Sequence, residues 1–199
     1  MTATINPLKT IRGPANLWYA PFGTTEPAAT NAALIQDPSV ANAAWTFLGA
    51  TQGGVSWIDD DTIEDTIADQ VPVPLGGSVT KQITTVTFNL LEATLANLQI
   101  ALNGLGTVNV GTGITTYTPG QANAGSILSY GAVIVDGQAP QLPGGGQARR
   151  RGIFRKLLNN GGKVTIASDP SKNGLIPVTF QCYYVSPTID RYFIQDQTA

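Results

Sequence analysis

Residues 83–90 read ITTVTFNL and alternate cleanly: Val86, Phe88 and Leu90 share one parity, Thr85, Thr87 and Asn89 the other. Period-two alternation predicts a half-buried strand with a hydroxyl-rich open face. Other strands follow from the same test. ANLWYAPF (15–22) is a short one, stopped by Pro21 and Gly23; AWTFLGAT is turned by Gly53 and Gly54; VSWI begins the next. TVNVGTGITTYTP reads as a Gly/Thr-rich hairpin and SILSYGAVIVDG as a mostly buried strand. IFRKLLNNGGKVTIAS reads as two strands around a turn at 159–162, with QAPQLPGGGQA as a flexible connector before it. LIPVTFQCYYV points Val178, Phe180, Cys182 and Tyr184 inward, and DRYFIQDQ closes the chain.

One stretch has helical spacing. In LLEATLANLQIALNG, Leu91, Leu95, Leu98 and Leu102 form a single apolar stripe. Asn89 with Glu92 resembles a capping box, and Gly104 suits the left-handed position after the last turn. A helix over about 90–103 is expected. Between 59 and 78 the pattern fails. Asp61, Ile63, Asp65, Ile67 and Asp69 mix acid with aliphatic on one parity, which a strand facing a core does not do. VPVPLGG then adds two prolines and two glycines, poor residues for a central strand. The expectation is a long loop at 59–78, of a length that is usually functional. Residues 54–60 and 79–90 are expected to form a hairpin with 61–78 as its tip. Residues 1–44 read as an N-terminal arm carrying the first strand, and 45–199 as the main domain.

Composition fits this picture. The chain has 199 residues, 42% of them hydrophobic, with 22 Gly and 13 Pro. That suits one folded domain rich in strands and turns. It holds no His and one Cys, Cys182, which excludes internal disulfides and zinc sites built on Cys or His. It also removes the usual general base for a serine or cysteine nucleophile. Cys182 reads as a small core hydrophobe, and Trp18, Trp45 and Trp57 as core. The N-terminus lacks the apolar segment of a secretory signal, and no apolar run approaches membrane-spanning length.

Charge is sparse but segregated. Residues 1–100 carry nine acids and three bases, net −6; residues 101–199 carry four acids and eight bases, net +4. Six carboxylates (Asp59, Asp60, Asp61, Glu64, Asp65 and Asp69) fall within eleven residues, with no Lys or Arg between Arg12 and Lys81. The spacing is wrong for an EF-hand. A paired-carboxylate hydrolase needs two acids with separated pKa values, and these are crowded on one segment. The opposite pole is ARRRGIFRK, where Arg149, Arg150, Arg151, Arg155 and Lys156 put five cations in eight residues. A whole-chain pI near 4.9 argues against nucleic-acid binding by that run. Contact between unlike surfaces of two copies is the simpler use of both poles. LPGGGQ and GLGTVNVG lack the residues that complete a phosphate or dinucleotide loop, so no cofactor is expected.

The order of pieces resembles a known family. WTFLGATQGGVSW, then the acidic segment, then TTVTFNLLEATLANLQIAL, then GGKVTIASDPSKNGLIPVTFQCYYVSPTIDRYFIQDQ is similar to the major tail tube proteins of long-tailed, non-contractile phages. The residues carrying it are Leu48, Gly49, Gly53 and Gly54; Glu92, Thr94 and Leu95; Ile176, Pro177, Val178 and Phe180; and Tyr192, Phe193, Ile194 and Asp196. The likeness covers about 45–199. It implies a mainly β fold, two packed antiparallel sheets (a sandwich or barrel) with one flanking α-helix. It implies no enzyme, but self-assembly into hexameric rings that stack into a tube, an architecture shared by the type VI secretion tube. The tube would be made in the host cytoplasm, surround a tape-measure protein, meet tail-terminator and distal tail proteins, and pass DNA at ejection without binding it.

On that reading, Asp59, Asp60, Lys81, Thr85, Thr87 and Asn89 face the lumen. Glu64, Asp65 and Asp69 of one ring reach Arg149, Arg150, Arg151, Arg155 and Lys156 of the next. The alternatives are a carbohydrate-binding or hydrolytic β-sandwich using Trp57 and the acids, and a ring-forming tail-terminator or capsid decoration protein.

Overall fold

The computed structural model describes residues 14–69, 71–120, 128–140, 146–161 and 174–198. In chain order these form β1 (Asn16–Pro21), α1 (Asn31–Leu34), α2 (Pro38–Ala41), β2 (Thr46–Phe47), β3 (Thr51–Ala68), β4 (Val71–Leu90), α3 (Leu95–Ala101), β5 (Thr107–Gly111), β6 (Ile114–Thr118), β7 (Gly131–Gln138), β8 (Arg149–Asn159), β9 (Ile176–Cys182) and β10 (Tyr192–Asp196). The fold is mainly β, and every ladder is antiparallel.

Eight strands share one sheet in the order β2-β1-β7-β8-β9-β4-β3, with β10 also paired to β8; β5 and β6 make a separate hairpin. The large sheet is folded on itself. A flat sheet would put β1 and β9, three strand spacings apart, about 14 Å from each other. Yet Tyr19 of β1 stacks on Phe180 of β9 at 6.4 Å between ring centroids. Trp57 of β3 likewise meets Phe154 of β8 at 6.2 Å. The corner is the β8–β9 ladder, which is only three pairs long (Leu157–Asn159 with Phe180–Cys182). Two packed layers result, β2-β1-β7-β8-β10 and β9-β4-β3. Val86, Phe88, Leu90, Val133, Phe154, Val178 and Phe180 fill the space between them.

The strand alternation expected for 83–90 holds: Val86, Phe88 and Leu90 are buried and Thr87 is exposed. Val178, Phe180 and Cys182 are buried as well, but Tyr184, past the strand end, is 68% exposed. The helix is shorter than 90–103. Leu90 still pairs with Thr51 and Ile176, so the strand claims it. Thr94 is the N-cap, its hydroxyl accepting from Asn97 N at 3.1 Å. The face that packs carries the buried Asn97 and Ala101, and of the leucine stripe Leu98 lies half-buried against the core beside them. Asn97 is buried because its amide donates to Leu48 O (3.1 Å) and Glu92 O (2.8 Å). Glu92 does not close a capping box; its carboxylate accepts from Ala50 N. Gly104 takes the left-handed conformation expected of it.

The boundary expected at 44/45 has no counterpart, because the β1–β2 ladder crosses it and β1 lies between β2 and β7. Residues 24–45 fold over the outer face of the first layer. There Trp45, 1% exposed, joins Trp18, Ala132, Ile134 and Ile153 in a second apolar cluster. Residues 141–145 of the expected connector QAPQLPGGGQA and the strand KVTIAS lie outside the described residues.

The largest difference is at 59–78. This segment is not a loop: β3 and β4 stay paired from Thr51–Leu90 to Ala68–Val71, with register shifts at 52/55, 62/63 and 66/68. Binary patterning failed there because the pairing outruns the core. Strand β9 covers β4 only from Thr85 to Leu90. Beyond that both faces of the hairpin meet solvent, and no period-two burial rule applies.

Candidate assembly interface

From Asp60 outward the β3–β4 hairpin has no further strand beside it among the described residues, and at the strand rise its ten residues to Asp69 span ~30 Å. An isolated two-stranded ribbon is marginal in water. This one also carries Ile63, Ile67, Val73, Leu75 and Val79, each more than half exposed. Five large aliphatics on a solvated ribbon mark a surface that something covers.

Alternation along β3 sorts the acids. Asp59, Asp61 and Asp65 continue the core-side face with Ile63; Asp60 and Glu64 lie on the opposite face with Ser56 and Ile58. Gly77 places Ile63 and Asp65 together, since a Cβ there would meet Ile63 Cγ2 at 2.9 Å and Asp65 Oδ1 at 3.5 Å. Glu64, Asp65 and Asp69 therefore do not form one patch: one lies on each face and the third at the turn.

The same sorting separates the two acids expected in the lumen. Asp60, Lys81, Thr85, Thr87 and Asn89 share the face turned away from the core. Asp59 does not. It accepts from Thr84 Oγ1 (2.6 Å), Tyr192 OH (2.8 Å) and Arg191 Nη2 (3.1 Å), tying the hairpin base to the C-terminal segment. Partial burial opposes ionisation of Asp59, but the hydrogen bonds from Thr84 and Tyr192 and the Arg191 charge outweigh it. The carboxyl titrates below its ordinary value. A depressed carboxyl stabilises the fold above its unfolded pKa, and that contribution is lost as pH falls through the folded one. Asp59→Asn should therefore lower the urea midpoint at neutral pH, and the gap from wild type should close below about pH 3.8, the ordinary value. Parallel urea titrations across pH check this.

The basic run is not a uniform patch. Arg151 is completely buried, its Nε and Nη2 paired with Asp136 at 2.5 and 2.8 Å, while Nη1 donates to Ala33 O and Nη2 to Gln36 O. Burial pushes the Asp136 carboxyl up, and the Arg151 hydrogen bonds oppose it. Arg151 is thus withdrawn from the expected inter-ring contact: it anchors the segment 33–36 to the sheet. Arg150 makes a bidentate pair with Asp196 (2.6 Å each). Arg155 pairs with Glu26 and stacks over Phe193 at 4.7 Å. Arg149 and Lys156 have no carboxylate within ion-pair distance among the described residues. Lys156 Nζ donates to Tyr184 O (2.8 Å) and lies over the rings of Tyr130 and Phe22.

Sequence reasoning missed Asp136, Glu26, Arg191 and Tyr192. For Asp136 a signal existed: an acid in the apolar run GAVIVDG needs a buried counter-ion. The others carry no sequence signal, since their partners are distant in the chain. Among the described residues, no group of three acid, His or Cys side chains could hold a metal. Burial pushes the Cys182 thiol up to about 12, so it stays protonated and inert.

A family model described as "Phage tail tube protein" matches residues 6–197. A solved structure titled "Crystal structure of Hcp protein" is similar over 85% of this chain and 88% of its own, at 12% identity and a TM-score of 0.34, a likeness too loose to carry weight. No curated protein sequence matches significantly.

Proposed function

The chain belongs to the phage tail tube protein family, and from that premise we propose that it assembles into stacked hexameric rings forming the tube of a long, non-contractile tail. The observation that carries this reading is the uncovered β3–β4 hairpin. It offers an eighteen-residue edge strand and exposed aliphatics that none of the described residues covers. Pairing β3 of one copy with its neighbour closes a barrel across subunits and removes the open edge. Asp60, Asp61, Glu64 and Asp65 sit along that edge, and charges there suppress indiscriminate pairing before the right partner arrives.

The lumen in this reading is the face carrying Asp60, Thr85, Thr87 and Asn89. Hydroxyls, amides and a carboxylate make few phosphate contacts. A basic wall would instead release counterions at each one and hold the DNA. Lys81 is the single cation expected on that face. Tape-measure, terminator and distal tail proteins would be the partners, and the virion tail the final location, after synthesis in the host cytoplasm. The reading is structural and not catalytic. A carbohydrate-binding site would need Trp57 as a stacking platform, and its ring is packed toward Phe154 instead.

Negative-stain microscopy of purified protein tests the proposal. Hollow tubes of uniform width are expected. Single rings would favour a terminator or decoration protein, and monodisperse monomers would overturn the assembly reading.

A further inference from the structure

The hairpin's core-side face pairs aliphatics with acids, Ile63 and Ile67 beside Asp61 and Asp65. A surface that covers it must be apolar with a cationic rim. Four clefts lie among the described residues; one, lined by Asn16, Asp136, Gln138, Gln147 and Arg149, is walled mostly by polar side chains and offers no apolar seat, which leaves three. The largest, at the hairpin base, holds Asp59 and Asp190, and its Arg191 is already paired to Asp59, so it would repel an acidic ribbon. A second, beside Val55 and Trp57, encloses only about 130 Å³, too small for a ribbon face, and its Arg150 is taken by Asp196. The third is a cleft of about 390 Å³ lined by Phe22, Ala132, Val185 and Ile189, with Phe22 and Ile189 nearly half exposed. Its one acid, Glu26, is neutralised by Arg155. Lys156, with no carboxylate at ion-pair distance among the described residues, reaches over Phe22 at its rim.

We propose that this Phe22–Val185–Ile189 cleft receives the Ile63–Ile67 face of the hairpin of a neighbouring copy, with Asp65 meeting Lys156. The inference rests on the tube reading and names the seat that the reading leaves open. Apolar burial supplies the affinity; the charge pair fixes register and rejects other ribbons. The contact cannot form within one chain. Ile67 lies eight residues of extended strand, ~25 Å, beyond Asp59, whereas Ile189 sits beside Arg191 at the hairpin base.

The test is a disulfide trap in assembled tubes, in which Cys182 stays silent. A chain carrying Ile67→Cys and Ile189→Cys, oxidised after assembly, should give a ladder of covalent oligomers on non-reducing gels. The control pair Ile67→Cys with Val110→Cys should give none. Tubes without a ladder, or with equal ladders from both pairs, overturn the seat and leave the tube reading standing. Wild-type protein that forms no tubes overturns both. A second measurement covers a cysteine variant that fails to assemble. Lys156→Glu should lower the rate of tube growth about tenfold, since each weak pair repeats around every ring, and Asp65→Lys added to it should restore most of that loss. Absence of both the loss and the rescue counts against the seat.

Discussion

Replacing Arg151 with alanine should destabilise the protein by about 3–5 kcal/mol, the cost of leaving a buried charge without its partner. Asp136 would keep its buried carboxylate, and the carbonyls of Ala33 and Gln36 would lose their donor. Stabilities near 5–15 kcal/mol are usual for a domain, so much of the folded population is at risk. Arg149→Ala, at an exposed position two residues away, should change stability by less than about 0.5 kcal/mol. Denaturant titration of the two variants side by side reads the difference. Reversing Arg149, Arg150 and Arg151 together would confound folding with assembly, because Arg151 is part of the fold.

Excising the hairpin should have the opposite signature. Asp61 and Gln82 are paired, so residues 62–81 can be replaced by Asn-Gly, the two-residue turn that suits such a closure. Every ladder of the folded body, from Thr85 inward, is left intact. The variant should melt cooperatively, close to wild type, while the pelletable tube fraction falls to background. Tubes formed by the excised protein would mean that the ribbon is dispensable. Thermal unfolding and sedimentation, run on the same preparation, separate the two outcomes.

Much of the body was legible in the sequence, for one reason: its strands have one wet face and one dry one. Val86–Phe88–Leu90 and Val178–Phe180–Cys182 obey that rule; the Thr107–Thr118 hairpin is exposed on both faces and was legible from its Thr112-Gly113 turn instead. Legibility ended where that asymmetry ended. At 61–78 both faces are wet, and a paired ribbon reads like a loop. At α3 a buried position belongs to Asn97, whose amide satisfies two carbonyls, so the leucine stripe overstated the helix's length and hid a polar residue on the packed face that Leu98 shares. In the run Arg149–Lys156 the sequence reports five like charges. Only tertiary pairing distinguishes the buried Arg151 from the exposed Arg149. The candidate site was found as a segment, but its chemistry was not resolved. Asp59 and Asp60 are adjacent in the chain and on opposite faces of the sheet, so one is a latch and the other stays on the open face.

Amide hydrogen exchange of residues 61–80, measured in dispersed subunits and again in sedimented assemblies, tests most directly whether copies of this chain cover the ribbon. Fast exchange in the subunit and slowing of about tenfold or more on assembly is the predicted result. Equal protection in both states, or a ribbon already protected in a lone monomer, would contradict it.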